Sequence, residues 1–120
     1  MAIPSRILAA GNSPLATISI TGDGATGLVA LGSTATDALQ LSAVWNTITT
    51  SSASTGVKLP PTEVGAMVGI RNDSGQTITV YPFNTSSTVN AAASSVTIAT
   101  AKTMILFATS STTWASVLTA

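Results

Sequence analysis

The sequence contains no cysteine and no histidine. Without thiols there is no disulfide and no thiolate metal site. Without imidazole the commonest general base and the commonest metal ligand are missing, and a Ser–His–Asp triad is excluded. Charge is the third shortage. Only 7% of the 120 residues are Asp, Glu, Lys or Arg, and the formal net charge is zero, where a typical soluble domain carries about 25% charged residues. Nucleic acid and anionic lipid both demand clustered Lys and Arg, so neither is expected as a partner. No run approaches the roughly 18 continuous apolar residues of a membrane span. A targeting core is not expected either, because the apolar run Ile7–Ala10 is cut short by Gly11-Asn12-Ser13-Pro14.

Ser, Thr and Ala fill the vacated positions. Such a surface lacks the charged edges that normally block sheet-to-sheet association. Much of it is therefore expected to be covered by other subunits in a homo-oligomer. The length fits one domain able to bury roughly two-thirds of its unfolded surface.

The chain reads as short strands separated by turns, which points to an all-β fold, a sandwich or a jelly-roll-like small barrel. Residues 1–14 read as an extended N-terminal arm and 15–120 as a single β domain. In the arm, Ile3, Ile7 and Leu8 are too apolar for a free tail and are expected to lie on a neighbour or on the chain's own sheet. The strongest signal is Gly65–Phe83. Ala66, Val68 and Ile70 share one face, Asn72-Asp73-Ser74-Gly75 supplies turn residues, and Ile78 and Val80 resume the alternation until Pro82. This pattern predicts a hairpin. Leu15–Thr21, Leu28–Gly32, Gly56–Leu59, Ser95–Thr100 and Thr113–Leu118 read as further strands, and Thr103–Thr109 as one buried on both faces. Ala38–Thr50 reads as the longest strand, with a short helix capped by Asp37 as the alternative over Asp37–Trp45. No internal repeat of roughly 20–50 residues is visible.

Chemistry-bearing patterns are few. Gly22-Asp23-Gly24-Ala25-Thr26-Gly27 matches the dinucleotide fingerprint letter for letter, but no helix pattern follows and the next acid, Asp37, comes too early, so a turn is expected. Glu63 and Asp73 would be the carboxylates to approach across the hairpin region. A Ser–Lys pair would use Lys58 or Lys102, and a calcium site would use Asp23 or Asp73, yet none has the accompanying ligands or spacing. The sequons at Asn72 and Asn84 carry little weight without a secretion signal. No catalytic residue, cofactor or metal is expected. The five aromatics are Trp45, Tyr81, Phe83, Phe107 and Trp114. They are expected to pack in the core or at interfaces, with an exposed sugar-binding row as the alternative.

Gly56-Val57-Lys58-Leu59-Pro60, Val68-Gly69-Ile70-Arg71-Asn72, Ile78-Thr79-Val80-Tyr81-Pro82, Val89-Asn90, Val96 and the closing Trp114 together resemble the small β-rich virion proteins of tailed bacteriophages, among them capsid decoration (cement) proteins and appendage modules. The resemblance covers about half the chain, residues 56–114, and is structural rather than catalytic. It implies a non-enzymatic component of the virion, a homotrimer in preference to other oligomers. It would bind the major capsid protein and stabilise the shell. Ile3, Ile7, Leu8, Trp45 and Trp114 are the candidate capsid or subunit contacts. A tail or head-fibre module adhering to host surface glycans is the alternative.

Overall fold

The computed structural model describes residues 9–11, 13, 14 and 22–120. The expected contacts Ile3, Ile7 and Leu8, and the strand expected over Leu15–Thr21, lie outside these residues. From Gly24 onward every regular element is a strand: β1 (Gly24–Val29), β2 (Leu39–Gln40), β3 (Trp45–Thr50), β4 (Gly56–Lys58), β5 (Met67–Asn72), β6 (Ile78–Tyr81), β7 (Thr88–Val89), β8 (Val96–Ile98), β9 (Lys102–Ala108) and β10 (Thr113–Leu118). They form a six-stranded sheet of order β1-β3-β5-β9-β10-β7 and a four-stranded sheet of order β2-β4-β6-β8.

From β1 to β6 consecutive strands alternate between the two sheets, and each pairs in parallel with the strand two places on. The chain therefore winds as stacked coils, each placing one strand in each sheet: a β-solenoid. The coil of β5 and β6 is followed by a coil of opposite sense, in which β8 and β9 run antiparallel to β6 and β5. β10 then lies antiparallel to β9 and carries β7 on its far side. The all-β expectation holds and the chain has two sheets. The connections, however, are not the antiparallel ones of a jelly roll, since five of the eight strand pairings are parallel.

Inward residues fill the space between the sheets. From the larger sheet come Ile48, Val68, Ile70, Met104, Leu106 and Trp114; from the smaller come Val57, Leu59, Ile78, Val80 and Ile98, all buried. Alternation was legible and holds in β4, β5, β6 and β8: Val57, Val68, Ile70, Ile78, Val80 and Ile98 face inward, and Val89 of β7 is buried with them. Pro82, which has no N–H to donate, follows the last residue of β6.

The hairpin expectation fails. β5 and β6 lie in different sheets, and Asp73–Thr77 turns a corner between them. Polar side chains close this corner. Asn72, fully buried, donates through Nδ2 to the Gln76 carbonyl (2.8 Å) and the Ile98 carbonyl (2.9 Å). Its Oδ1 accepts from the Ser74 N–H (3.0 Å) and hydroxyl (2.6 Å). Ser51, at the corner of the preceding coil, donates to the Ser74 hydroxyl (2.6 Å), and the Thr100 hydroxyl of the reversed coil donates to the Ser74 carbonyl. The same turn residues that would close a hairpin thus bond outward to the coils on either side.

Three further expectations change. Ala38–Thr50 is neither one strand nor a helix, because residues 41–44 separate β2 from β3. β9 is buried on one face only: Met104, Leu106 and Ala108 point inward, while Phe107 is exposed. The glycine-rich stretch places Gly24–Gly27 inside β1, where Gly27 takes a φ of 70° at a register irregularity. It is an interrupted strand edge with no helix after it, and so lacks the geometry of a phosphate loop.

Candidate functional site

The register of the larger sheet fixes its outward face. Trp45 pairs with Gly69, Gly69 with Ile105, and Ile105 with Val117, forming one row across four strands. The adjoining row runs Met67, Phe107, Ala115. These rows form an apolar stripe in which Trp45 is 42% exposed, Met67 46%, Phe107 42% and Val117 62%, with Ile105 half-buried. The next row is polar, Thr47, Arg71 and Thr103. Arg71 is engaged there. Its Nε meets Asp73 at 2.6 Å and it donates to the Ala101 carbonyl at 2.9 Å. This exposed ion pair adds at most about 1 kcal/mol, and it neutralises the rim.

Gly69 explains how Trp45 lies. The residue is buried, and a Cβ there would sit inside van der Waals contact with the indole ring. The ring therefore lies flat across the next coil instead of standing away from the sheet. Gly69→Ala is expected to lift it, at about 1–2 kcal/mol of stability. Acrylamide quenching of tryptophan emission checks this, since Trp45 becomes more accessible while Trp114 stays buried.

The outward face of the smaller sheet is different. Its rows run Gln40, Lys58, Tyr81 and Gly56, Thr79, Thr97, and among the described residues the one large exposed aliphatic beside them is Leu31, which bridges Gly56 at the row's end. Lys58 sits 6.0 Å above the Phe83 ring. Tyr81 packs beside Gly56, where a Cβ would come within 2.8 Å of the ring and 2.6 Å of the Thr79 carbonyl oxygen. The Tyr81 hydroxyl donates to the Ser33 carbonyl at 3.1 Å, joining the first and third described coils.

Beyond the end of β6 this link borders a cleft of about 330 Å³. Ser33, Thr34 and Ala35 line one side; Tyr81, Pro82, Asn84, Thr85, Ser87 and Ser94 line the rest. Asp37 shapes the first side. It accepts from the Thr34 hydroxyl (2.8 Å) and N–H (2.9 Å), and these bonds hold its carboxyl below the usual value. The contact is therefore present at neutral pH and is lost only as pH falls through that lowered value. Gly32, at φ 68°, gives Asp37 room to fold back.

The residues named from sequence separate. Trp45 is at the surface, at the β3 end of the apolar stripe. Trp114 is fully buried and donates from Nε1 to the Thr62 hydroxyl at 3.0 Å, so this chain offers no Trp114 surface to a partner. Its indole volume is spent between the sheets, where β10 faces the core. An aromatic sugar-binding row fails for the same reason, and also because Trp45 and Tyr81 belong to different sheets. Glu63 and Asp73 flank opposite ends of β5, on the order of 20 Å apart at strand rise, so they make no carboxylate pair. Asp23 accepts from the Val44 N–H at 3.1 Å, a connection between coils. Met67, Phe107 and Val117 were not singled out from sequence as surface contacts. Alternation places them opposite Val68, Leu106 and Trp114, but an apolar residue on the outward face carries no mark in the sequence that sets it apart from a core residue.

The chain matches no known family model, and neither curated proteins nor solved structures provide a significant match.

Proposed function

We propose that the protein is a structural, non-enzymatic component of an assembled particle, held in place through the apolar outer face of its larger sheet. The observation that carries this reading is the stripe of Trp45, Met67, Ile105, Phe107 and Val117 on a chain with almost no charge. Its exposed part is on the order of 400 Å², at the size of the largest apolar patch on a typical monomer. Its half-buried threonine rim adds little, so a standard interface of roughly 800 Å² per partner has to extend past the stripe onto the polar row of Arg71 and beyond. Parallel coils tied by backbone bonds and buried polar corners supply a rigid platform for that face.

The resemblance read from the sequence supplies the particle: a tailed-phage virion, with the protein as a decoration subunit on the capsid, self-associated as a trimer and contacting the major capsid protein. Light scattering of the purified chain, followed by co-sedimentation with undecorated capsids, tests this. The expected result is a defined oligomer that pellets with capsids and raises their thermal stability. A single 11.9 kDa species at high concentration, absent from the capsid pellet, overturns it.

A further inference from the structure

We propose that the cleft beside Tyr81 binds a neutral saccharide. It lies beyond the end of the smaller sheet, away from the apolar stripe, and does not depend on the assembly reading. Its volume, about 330 Å³, falls at the lower end of the roughly 300–1,000 Å³ range of small-ligand clefts, enough for one or two sugar rings.

The lining chemistry selects the ligand. No Lys, Arg, Asp or Glu side chain lines the cleft, so nothing there compensates a phosphate, a carboxylate or an ammonium group. What lines it is hydroxyl and amide. The hydroxyls of Ser33, Thr85 and Ser94 and the Nδ2 of Asn84 have no hydrogen-bond partner among the described residues. The Asn84 Oδ1, by contrast, is occupied by the Ser86 N–H (3.0 Å) and the Ser87 hydroxyl (3.1 Å), which fixes where Nδ2 points. Hydroxyls both donate and accept, as sugar hydroxyls do. Ala35, Pro82 and the Tyr81 ring supply carbon surface between these groups, matching the C–H face of a pyranose. Tyr81 itself is held by Gly56 at the ring and Ser33 at the hydroxyl, so the cleft is formed before any ligand arrives.

The test is an amide-resolved NMR titration of the full chain with neutral disaccharides, with sialylated and uronic-acid saccharides as the second arm. Shifts are expected at residues 33–35, 81–87 and 94, with a Kd on the order of 1 mM for neutral sugars and weaker binding of the acids. Thr85→Val with Ser94→Ala is expected to weaken binding about tenfold. Ser94→Phe, which fills the cleft from an exposed position, should abolish it and leave mass in solution and capsid binding unchanged. The proposal is overturned by an absence of shifts with every neutral sugar, by shifts centred on Trp45, by a preference for the acids, or by full affinity in Ser94→Phe. Because that variant leaves the apolar stripe intact, failure here and failure of the particle reading show up separately.

Discussion

Replacing Asn72 by Ala is expected to destabilise the fold by about 3 kcal/mol, read as a fall in Tm on the order of 10 °C. Asn72 is fully buried and uses both ends of its amide. Removing it strips a partner from the Gln76 and Ile98 carbonyls and from the Ser74 N–H and hydroxyl at once. Buried groups left without partners cost far more than a hydrogen bond contributes on average. The loss also spreads, because Ser74 is the link to Ser51 on one side and Thr100 on the other. Asn72→Asp is expected to fail nearly as badly: it keeps the acceptor toward Ser74, but it presents a carboxylate to the Ile98 and Gln76 carbonyls. Asp73→Ala, one residue away on the exposed side, removes only the surface pair with Arg71 and should cost under about 1 kcal/mol. If Asn72→Ala and Asp73→Ala melt together, the corner network contributes nothing special.

The same corner marks the limit of what the sequence made legible. Strand interiors were readable because alternation is local: Val68 and Ile70, or Ile78 and Val80, show their inward face without any knowledge of partners. Pairing was not readable, because Asn-Asp-Ser-Gly serves a two-strand reversal and a corner between sheets equally well. What separates them is the bonding of Asn72 to Ile98, 26 positions away. The coil period was hidden for a related reason. Trp45 stands 21 residues after its partner Gly24 and 24 before its partner Gly69, while Leu39 and Val57 are 18 apart. With corners of unequal length no fixed period aligns the coils, although their strands stack in register. Trp114 was misplaced because a tryptophan serves a core as readily as an interface. Its seat beside Thr62 depends on which face of β10 meets the core once the chain turns back along β9 at residues 110–112, and the sequence of β10 does not mark that face.

Placing two carboxylates on the apolar stripe, Phe107→Glu with Val117→Glu, is expected to break association while sparing the fold. Both side chains are exposed, 42% and 62%, so the substitutions open no cavity. The stability change should stay near 1 kcal/mol, the scale of strand preference on a solvated face. At an interface the same change is severe. Each Glu must lose its hydration against an apolar face, and Arg71 in the adjoining row is already bound to Asp73 and to the Ala101 carbonyl. Two such penalties weaken association by at least about a hundredfold, and the mass in solution should drop to that of one chain. The control puts the same charge on the other sheet, Thr79→Glu with Thr97→Glu, on the polar outward row. If added charge alone disperses the assembly, both pairs act alike and the apolar stripe is not the contact. If only the first pair does so, the larger sheet's outer face is the surface through which the particle is built, and capsid binding should fall with it.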